Sequence, residues 1–446
     1  MTLPVRLSRL AWFAIGYVAS AGLQKLIGFI AFVWLARSLA VEEYARFGLL
    51  FALQTGVGAM AGAGISDSVV GLLRRSQAPA ERTRLLAAAN SVFLMLALAS
   101  IVAAAAFYSF LYKGSSKSAA ELILVLVGGV MSAHFSLQAM LVRLNEQHSE
   151  SLCLASFSPL AAFVTALIAF WFYQDVNAFF GGLAGGFVIA FVVLHMVGIG
   201  RFRVATAYDD SSAIRDSIGP YIFIALLAWV TGYGNTYVAK LFFDDAVVAK
   251  FTFAYTLSSV LQLIATSTNQ VWSPRFFRLS AALSVQHLEV RNRRFYLLQG
   301  IAIGGVGVTI MLSLPLFTAL GGGNLPAYRN IGTELFVLSA AYAVSIPWWH
   351  AQNYFLVHGL GKKLLYVTII SSSIGVALSL SLMALWGPIG IYLGFLSQTL
   401  IRSAVSYWIA RRDWQVELMW QGPCISLIML AAALALTESL RVISAI

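Results

Sequence analysis

Long apolar runs separated by short polar connections dominate the chain. An α-helix needs about 20 apolar residues to cross the hydrocarbon of a bilayer, and twelve runs are at least that long. They lie near 11–36, 47–73, 85–112, 121–142, 152–173, 177–200, 217–240, 249–272, 295–320, 331–357, 364–386 and 388–410. The pattern predicts an all-α, polytopic integral membrane protein with little mass outside the bilayer.

A last apolar run, 423–446, differs from the others because Glu438 and Arg441 interrupt it. Two interpretations stay open for it, a thirteenth span or an amphipathic helix in the membrane interface. We therefore treat 413–446 as a separate C-terminal element.

The twelve earlier runs divide into two sets of six. In the first set, Arg37 ends a span, a short loop carries two acids, and Arg46 opens the next span. In the second set, Lys240 and Lys250 flank a similar acidic loop. Six is even, so both sets would have the same orientation, as parallel repeats related by an axis along the membrane normal. The predicted bundles are 1–205 and 206–412.

The predicted inner loops carry most of the Lys and Arg residues when the N-terminus is placed in the cytoplasm. This asymmetry follows the positive-inside rule and predicts that orientation. The longest polar connection, 274–294, then lies on the cytoplasmic side. Its stretch 276–288 is amphipathic and is predicted to lie in the interface.

The composition excludes a soluble enzyme. Apolar residues make up 60% of the chain and charged residues 11%, against about 25% charged in soluble domains. The net charge of +11 is explained by basic loops rather than by nucleic-acid binding. Glycine-rich stretches lack the Lys-Ser/Thr of a phosphate-binding loop, and no metal motif is present. We expect neither enzymatic activity nor a bound cofactor.

Candidate functional residues are the charged and strongly polar groups inside spans, because these are costly in lipid and usually face a cavity. Lys25 and Asp67 either pair with each other or line a water-filled cavity, with Asp67 also able to carry a coupling proton. The other candidates inside spans are Asn235, Gln270, His350, Asn353 and Arg402. The cations Arg74, Arg75 and Arg143 lie at the inner mouth, either as topology determinants or as an entrance that gathers phosphate.

The segment 32–49 carries a family pattern. It reads FVWLARSLAVEEYARFGL and resembles the first outer hairpin of O-antigen-type polysaccharide flippases in the MATE-like multidrug/oligosaccharidyl-lipid/polysaccharide superfamily. Ala40 and Ala45 stand where the family has glycine. The glycine-rich stretch that leads to Asp67 and the following basic turn are also similar. The family more often has Asp where this chain has Asn235.

The resemblance implies two six-helix bundles in a V around a central cavity. It also implies alternating access that carries an undecaprenyl-diphosphate-linked oligosaccharide across the bacterial inner membrane for O-antigen or exopolysaccharide assembly. Lys25, backed by Arg74, Arg75 and Arg402, would balance the diphosphate, with proton or sodium coupling. The implied partners are this lipid-linked glycan, the lipid bilayer and the polysaccharide polymerase machinery, with no nucleic acid.

Three other functions remain open. A multidrug antiporter of the same superfamily would need an acidic, cation-binding cavity, and the predicted spans contain few acids besides Asp67. A membrane-embedded glycan polymerase or ligase usually needs a sizeable outer loop, and the outer loops here are short. A scaffold without transport would not need charges inside its spans.

Overall fold

A computed structural model describes residues 23, 26–65, 68, 69, 72, 79–111, 119–145, 147–200, 208–358, 360–417 and 419–445. These residues are almost entirely helical. The helices are α1 Leu26–Ser38, α2 Val41–Ala61, α3 Pro79–Leu111, α4 Ala119–Leu144, α5 His148–Tyr173, α6 Val176–Met196, α7 Tyr208–Thr231, α8 Asn235–Phe242, α9 Asp245–Ala282, α10 Val285–Leu320, α11 Gly332–Val344, α12 Ile346–Val357, α13 Gly361–Trp386, α14 Ile389–Trp414 and α15 Gln421–Ala445, with a 3₁₀ turn at Leu325–Tyr328.

Nine of the described helices are long and apolar enough to cross a membrane. The prediction of an all-α, multi-pass membrane protein is therefore confirmed. Helices suit this solvent because they satisfy every backbone hydrogen bond within one segment.

Two predicted spans break into two helices each, and a third, 47–73, is interrupted by the turn at 62–64 where α2 ends. The predicted seventh span breaks into α7 and α8 at a turn, where the Gly234 N–H donates to the Trp229 carbonyl at 2.8 Å. The predicted tenth span breaks at Ser345 into α11 and α12. Pro347 follows in the first turn of α12, where its missing N–H costs little. Each break leaves a short helical segment that carries predicted site residues.

The expected amphipathic stretch 276–288 is wrong as a separate interfacial element. Helix α9 covers the start of this stretch and ends at Ala282 after 38 residues, and α10 begins at Val285 after a two-residue connection and runs for 36. At 1.5 Å per residue these helices are about 57 and 54 Å long, well beyond a hydrocarbon core of about 30 Å. The polar connection is thus the tip of a long helical hairpin.

The helices pack as two compact units. The first contains residues up to Ala31 and the range Arg46–Gly234. The second contains Phe32–Ala45 and the chain from Asn235 onward. The end of α1 and the start of α2 thus belong to the second unit, and α7 belongs to the first. The division into six-helix bundles at residues 205 and 206 stays a prediction.

Small side chains form much of the core of the first unit. Ala61, Ala88 and Ala133 lie in a buried cluster with larger apolar residues of α3 and α7. Helix α2 ends in a turn at Gly64, which has φ +64° and packs on Tyr221 of α7. A Cβ at Gly64 would lie 2.0 Å from the Tyr221 Cβ, so only glycine suits both the backbone and the contact.

Aromatic rings anchor the outer hairpin within the second unit. The Tyr44 ring contacts Phe253 and Tyr328 edge to face, at centroid distances of 6.4 and 5.7 Å. The backbone N–H of Asn324 donates to the Arg37 carbonyl at 2.9 Å. The segment on which the family resemblance rests is therefore held by helix α9 and by the loop that follows α10.

The C-terminal run forms one helix, α15, which packs along α10 in the second unit. A Cβ on Gly300 would lie 2.3 Å from the Gly422 carbonyl oxygen, so the two backbones touch. The Ser426 hydroxyl donates to the Gly300 carbonyl at 2.6 Å. Residues 421–439 of α15 are long and apolar enough to span the membrane. The packing favours a thirteenth span over an interfacial helix.

Candidate functional site

Four predicted site residues, Lys25, Asp67, Arg74 and Arg75, lie outside the described residues. Their assignments stay predictions. Gln270 lies on α9, where the backbone is described and the side chain is not. The structure places the remaining candidates at separate positions and brings only two of them together.

Arg143 lies in the last turn of α4, with an exposed side chain. It borders a cavity of about 260 Å³ that α4, α5 and α6 form within the first unit. The wall of the cavity includes the hydroxyl groups of Ser132 and Ser136. Arg143 is thus close to a recess that contains serine side chains.

Asn235 lies buried at the start of α8, directly after the turn at Gly234.

The Arg402 side chain lies against an aromatic ring of the neighbouring helix α12. Its guanidinium carbon lies 5.5 Å from the ring centroid of Trp348 on α12, a cation–π arrangement. Its Nε is buried and has no hydrogen-bond acceptor among the described residues. Helix α14 extends twelve residues beyond Arg402 to Trp414, or about 18 Å.

His350 and Asn353 meet in one buried polar network at the end of the α9–α10 hairpin. Asn353 is fully buried. Its amide nitrogen donates to the Asn269 side-chain oxygen at 3.0 Å and to the Tyr296 hydroxyl at 3.3 Å. Its amide oxygen accepts from the Ser273 hydroxyl at 2.6 Å. All these contacts join α12 to α9 and α10.

Glu289, which the sequence did not single out, lies at the centre of this network and is 3% exposed. One carboxylate oxygen accepts hydrogen bonds from the Tyr354 hydroxyl and from the Asn292 amide, the latter at 2.9 Å. The other lies 3.3 Å from His350 Nε2. Asn292 in turn accepts from the Trp272 indole at 3.0 Å. A single buried acidic group thus receives two hydrogen bonds and lies beside an imidazole nitrogen.

Helical spacing explains why the network forms. On α10, Glu289, Asn292, Tyr296 and Gln299 are three or four residues apart and so lie on one face. On α12, His350, Asn353 and Tyr354 have the same spacing. The two-residue connection between α9 and α10 then brings the start of this polar stripe beside the end of α9. This polar periodicity is a signal that a search for charged residues inside apolar runs overlooks.

The charge at Glu289 is costly unless it is compensated, since a buried carboxylate loses its hydration. The hydrogen bonds from Tyr354 and Asn292 favour the ionised form. His350 is the one side chain in contact with it that can carry positive charge, within the part of the chain that the structure describes.

A second buried acid, Glu121, lies in the first unit. It is 1% exposed, pairs with Arg46 and accepts from the Tyr108 hydroxyl at 3.2 Å. Arg46 also donates to the Asn177 side chain at 3.2 Å. This acid has a strong base as a partner, so the pair holds helices together and does not share the chemistry of Glu289.

Comparison with known proteins gives the family. Residues 14–280 match the family model described as polysaccharide biosynthesis protein. Because this match spans more than half of the sequence, the chain belongs to that family. No protein with curated annotation matches it.

Solved structures give the fold. An outward-facing MATE multidrug resistance transporter of the MOP superfamily is 15% identical, with a TM-score of 0.63 over 90% of this chain and 94% of that one. The lipid II flippase MurJ, in an inward closed conformation, is 12% identical, with a TM-score of 0.63 over 96% and 98%. A MOP superfamily transporter from Pyrococcus furiosus is 12% identical, with a TM-score of 0.54 over 90% and 94%.

The prediction of a MATE-like fold is confirmed. The resemblance to flippases of that superfamily is likewise confirmed by the family match and by these structural neighbours. The family and the fold together define a multi-pass membrane protein of the transporter and flippase class.

Proposed function

We propose that this protein flips an undecaprenyl-diphosphate-linked oligosaccharide from the cytoplasmic to the outer face of the bacterial inner membrane. The observation that carries the proposal is membership of a polysaccharide biosynthesis family in a chain whose fold is that of transporters over nine-tenths of its length or more. The protein would act as a transporter and not as an enzyme, with its N-terminus in the cytoplasm.

Lys25 is the first candidate for contact with the diphosphate. An ammonium group in the first span is costly in lipid and gains stability by facing an anion. Arg74, Arg75, Arg143 and Arg402 would add positive charge along the same route, and Asn235, Gln270, His350 and Asn353 would offer hydrogen bonds to sugar hydroxyls. Since His350 and Asn353 are buried in the network around Glu289, their contact with a glycan requires that network to open.

The test of this function is deletion of the gene in a strain that assembles a surface glycan. We expect the undecaprenyl-linked glycan to accumulate on the inner leaflet and surface glycan to fall, with rescue by the wild-type protein. Lys25→Ala should fail to rescue and Lys25→Arg should rescue in part, because it keeps the charge. Lys240→Ala is a matched control, since Lys240 is exposed and pairs with Asp245. Normal surface glycan without accumulation would contradict the proposal.

A multidrug antiporter is the second candidate function. The buried carboxylate of Glu289 favours it, because antiporters of this fold class need acids that bind cations or protons. The two functions differ in a simple measurement. If the protein is an antiporter, deletion of its gene would lower the resistance of the cells to cationic drugs and leave the amount of lipid-linked glycan unchanged.

A further inference from the structure

We propose that the Glu289–His350 pair binds one exchangeable proton and that this proton is the coupling ion of the transporter. The step to coupling rests on the proposed function, whereas the proton site itself rests on the geometry of the second unit alone.

The first argument is the count of hydrogen-bonding positions. Glu289 accepts from Tyr354 and Asn292, and its other carboxylate oxygen lies 3.3 Å from His350 Nε2. If the carboxylate is ionised and the imidazole is neutral, Nε2 carries its hydrogen toward Glu289 and Nδ1 holds a free lone pair. His350 Nδ1 is indeed buried and has no partner among the described residues. The pair therefore has one vacant position for a proton.

The second argument is the charge balance. Without that proton the site carries one buried negative charge, and with it the pair is neutral overall. The titratable groups that face the pair are Tyr354 of α12 and Tyr296 of α10, and neither carries charge at neutral pH. The side chains of α9 and α14 that contact the network are the neutral Asn269, Trp272, Ser273, Phe276 and Trp414.

The third argument is occlusion. A coupling ion must be shielded from at least one side of the membrane until the protein changes conformation. His350 is 3% exposed. The imidazole packs against the ring of Tyr296, at a centroid distance of 4.7 Å, and against the ring of Tyr354, at 5.4 Å. A proton can therefore reach Nδ1 only when α12 separates from the α9–α10 hairpin.

The fourth argument links the site to the predicted substrate route. Helix α12 contributes His350, which contacts Glu289. Two residues earlier, Trp348 of the same helix packs against the Arg402 guanidinium. The break at Ser345 separates α12 from α11. A change in the charge of the pair would alter the strength of the interaction between α10 and α12. Because Trp348 lies on α12, a shift of this helix would also move the group that packs against Arg402.

The first experiment measures the proton site without any substrate. Infrared difference spectra of the purified, full-length protein in detergent are recorded between alkaline and acidic pH. We expect a carboxylic-acid or imidazolium signal that is lost in both Glu289→Gln and His350→Gln. It should persist in Glu417→Gln, because Glu417 is exposed and pairs with Arg293. Wild-type and Glu289→Gln spectra that change identically with pH would overturn the proposal.

A second variant keeps the test decisive if Glu289→Gln does not fold. Tyr354→Phe removes one donor to the carboxylate and retains the ring that packs on Trp414. Losing a donor destabilises the ionised form, so the signal should appear at higher pH than in the wild type. A signal at unchanged pH would count against the assignment to Glu289.

The second experiment measures coupling. The protein is reconstituted in phosphatidylethanolamine–phosphatidylglycerol vesicles that contain an undecaprenyl-diphosphate-linked glycan, with and without a pH gradient. We expect the gradient to accelerate flipping by the wild type and by Glu417→Gln, and to have no effect on Glu289→Gln. Two results would refute coupling at this pair. One is a wild-type flipping rate that does not change with the pH gradient, and the other is a flipping rate of Glu289→Gln that does change with it. If the wild type flips nothing, the proposed function fails, and the infrared test of the proton site still stands.

Discussion

Replacement of Gly300 by alanine tests the packing of the last helix. A Cβ at Gly300 would lie 2.3 Å from the Gly422 carbonyl oxygen and 2.6 Å from its carbonyl carbon. These atoms are backbone and cannot swing aside, so α15 must move away from α10 by about 1 Å to reach ordinary van der Waals distance. The shift would also lengthen the bond from the Ser426 hydroxyl to the Gly300 carbonyl, now 2.6 Å.

The expected cost follows from these contacts. Overpacking in a close-packed interior costs about 1–3 kcal/mol, and a hydrogen bond between membrane helices contributes about 0.6 kcal/mol on average. Alanine returns about 1 kcal/mol through its higher helix propensity. We therefore expect Gly300→Ala to lower the free energy of unfolding by about 0.6–2.6 kcal/mol.

Gly305 provides the matched control on the same helix. A Cβ there would meet only the Met429 Cε, at 3.9 Å, which is an ordinary contact. Gly305→Ala should leave the free energy of unfolding unchanged or raise it by up to about 1 kcal/mol. Both variants are measured by denaturant unfolding in the same mixed micelles. Equal stability of the two variants would refute the close α10–α15 contact, and with it the argument for a thirteenth span.

Three further predictions concern the first unit and the orientation of the chain. Arg46→Met leaves the buried Glu121 without its base and should lower stability by about 3–5 kcal/mol; the double variant with Glu121→Gln should recover part of this loss, and strictly additive costs would argue against the pair. Gly64→Ala should destabilise the fold through positive φ and overlap with α7, whereas Gly62→Ala should be tolerated; equal melting temperatures would contradict this. Ser284→Cys, in a background without native cysteines, should react with an impermeant maleimide only from the cytoplasmic side, and labelling from outside would reverse the orientation.

The sequence could predict the class and the span plan because the bilayer imposes them. A run of about 20 apolar residues has few alternatives to a helix in lipid, so the runs near 121–142, 152–173 and 364–386 correspond closely to α4, α5 and α13. The residues of the outer hairpin also carried the family resemblance, which the family match confirms.

The sequence could not locate the breaks in the helices. The stretch 217–240 contains Gly232 and Gly234 at its interruption, and 331–357 contains Ser345 and Pro347, but hydropathy by itself does not distinguish one long helix from two shorter ones. The turns at Gly234 and Ser345 depend on backbone hydrogen bonds and on neighbouring helices. These contacts become visible only once the chain is folded.

Glu289 marks the limit of sequence reasoning most clearly. In the sequence it lies in the polar connection 274–294, where a carboxylate is normally solvated, and the search for charges inside spans passed over it. The structure extends α9 and α10 through that connection and covers the carboxylate with Tyr354, His350 and Asn292.

The sequence alone thus determined that this is a multi-pass helical protein and which family it resembles, because hydropathy and a local motif are properties of contiguous residues. The tertiary structure decided which polar groups meet, that α15 packs inside the second unit, and that an acid outside the predicted spans is buried. The physical reason is that burial and hydrogen bonding at Glu289 require side chains from α10 and α12, about 60 residues apart in the chain.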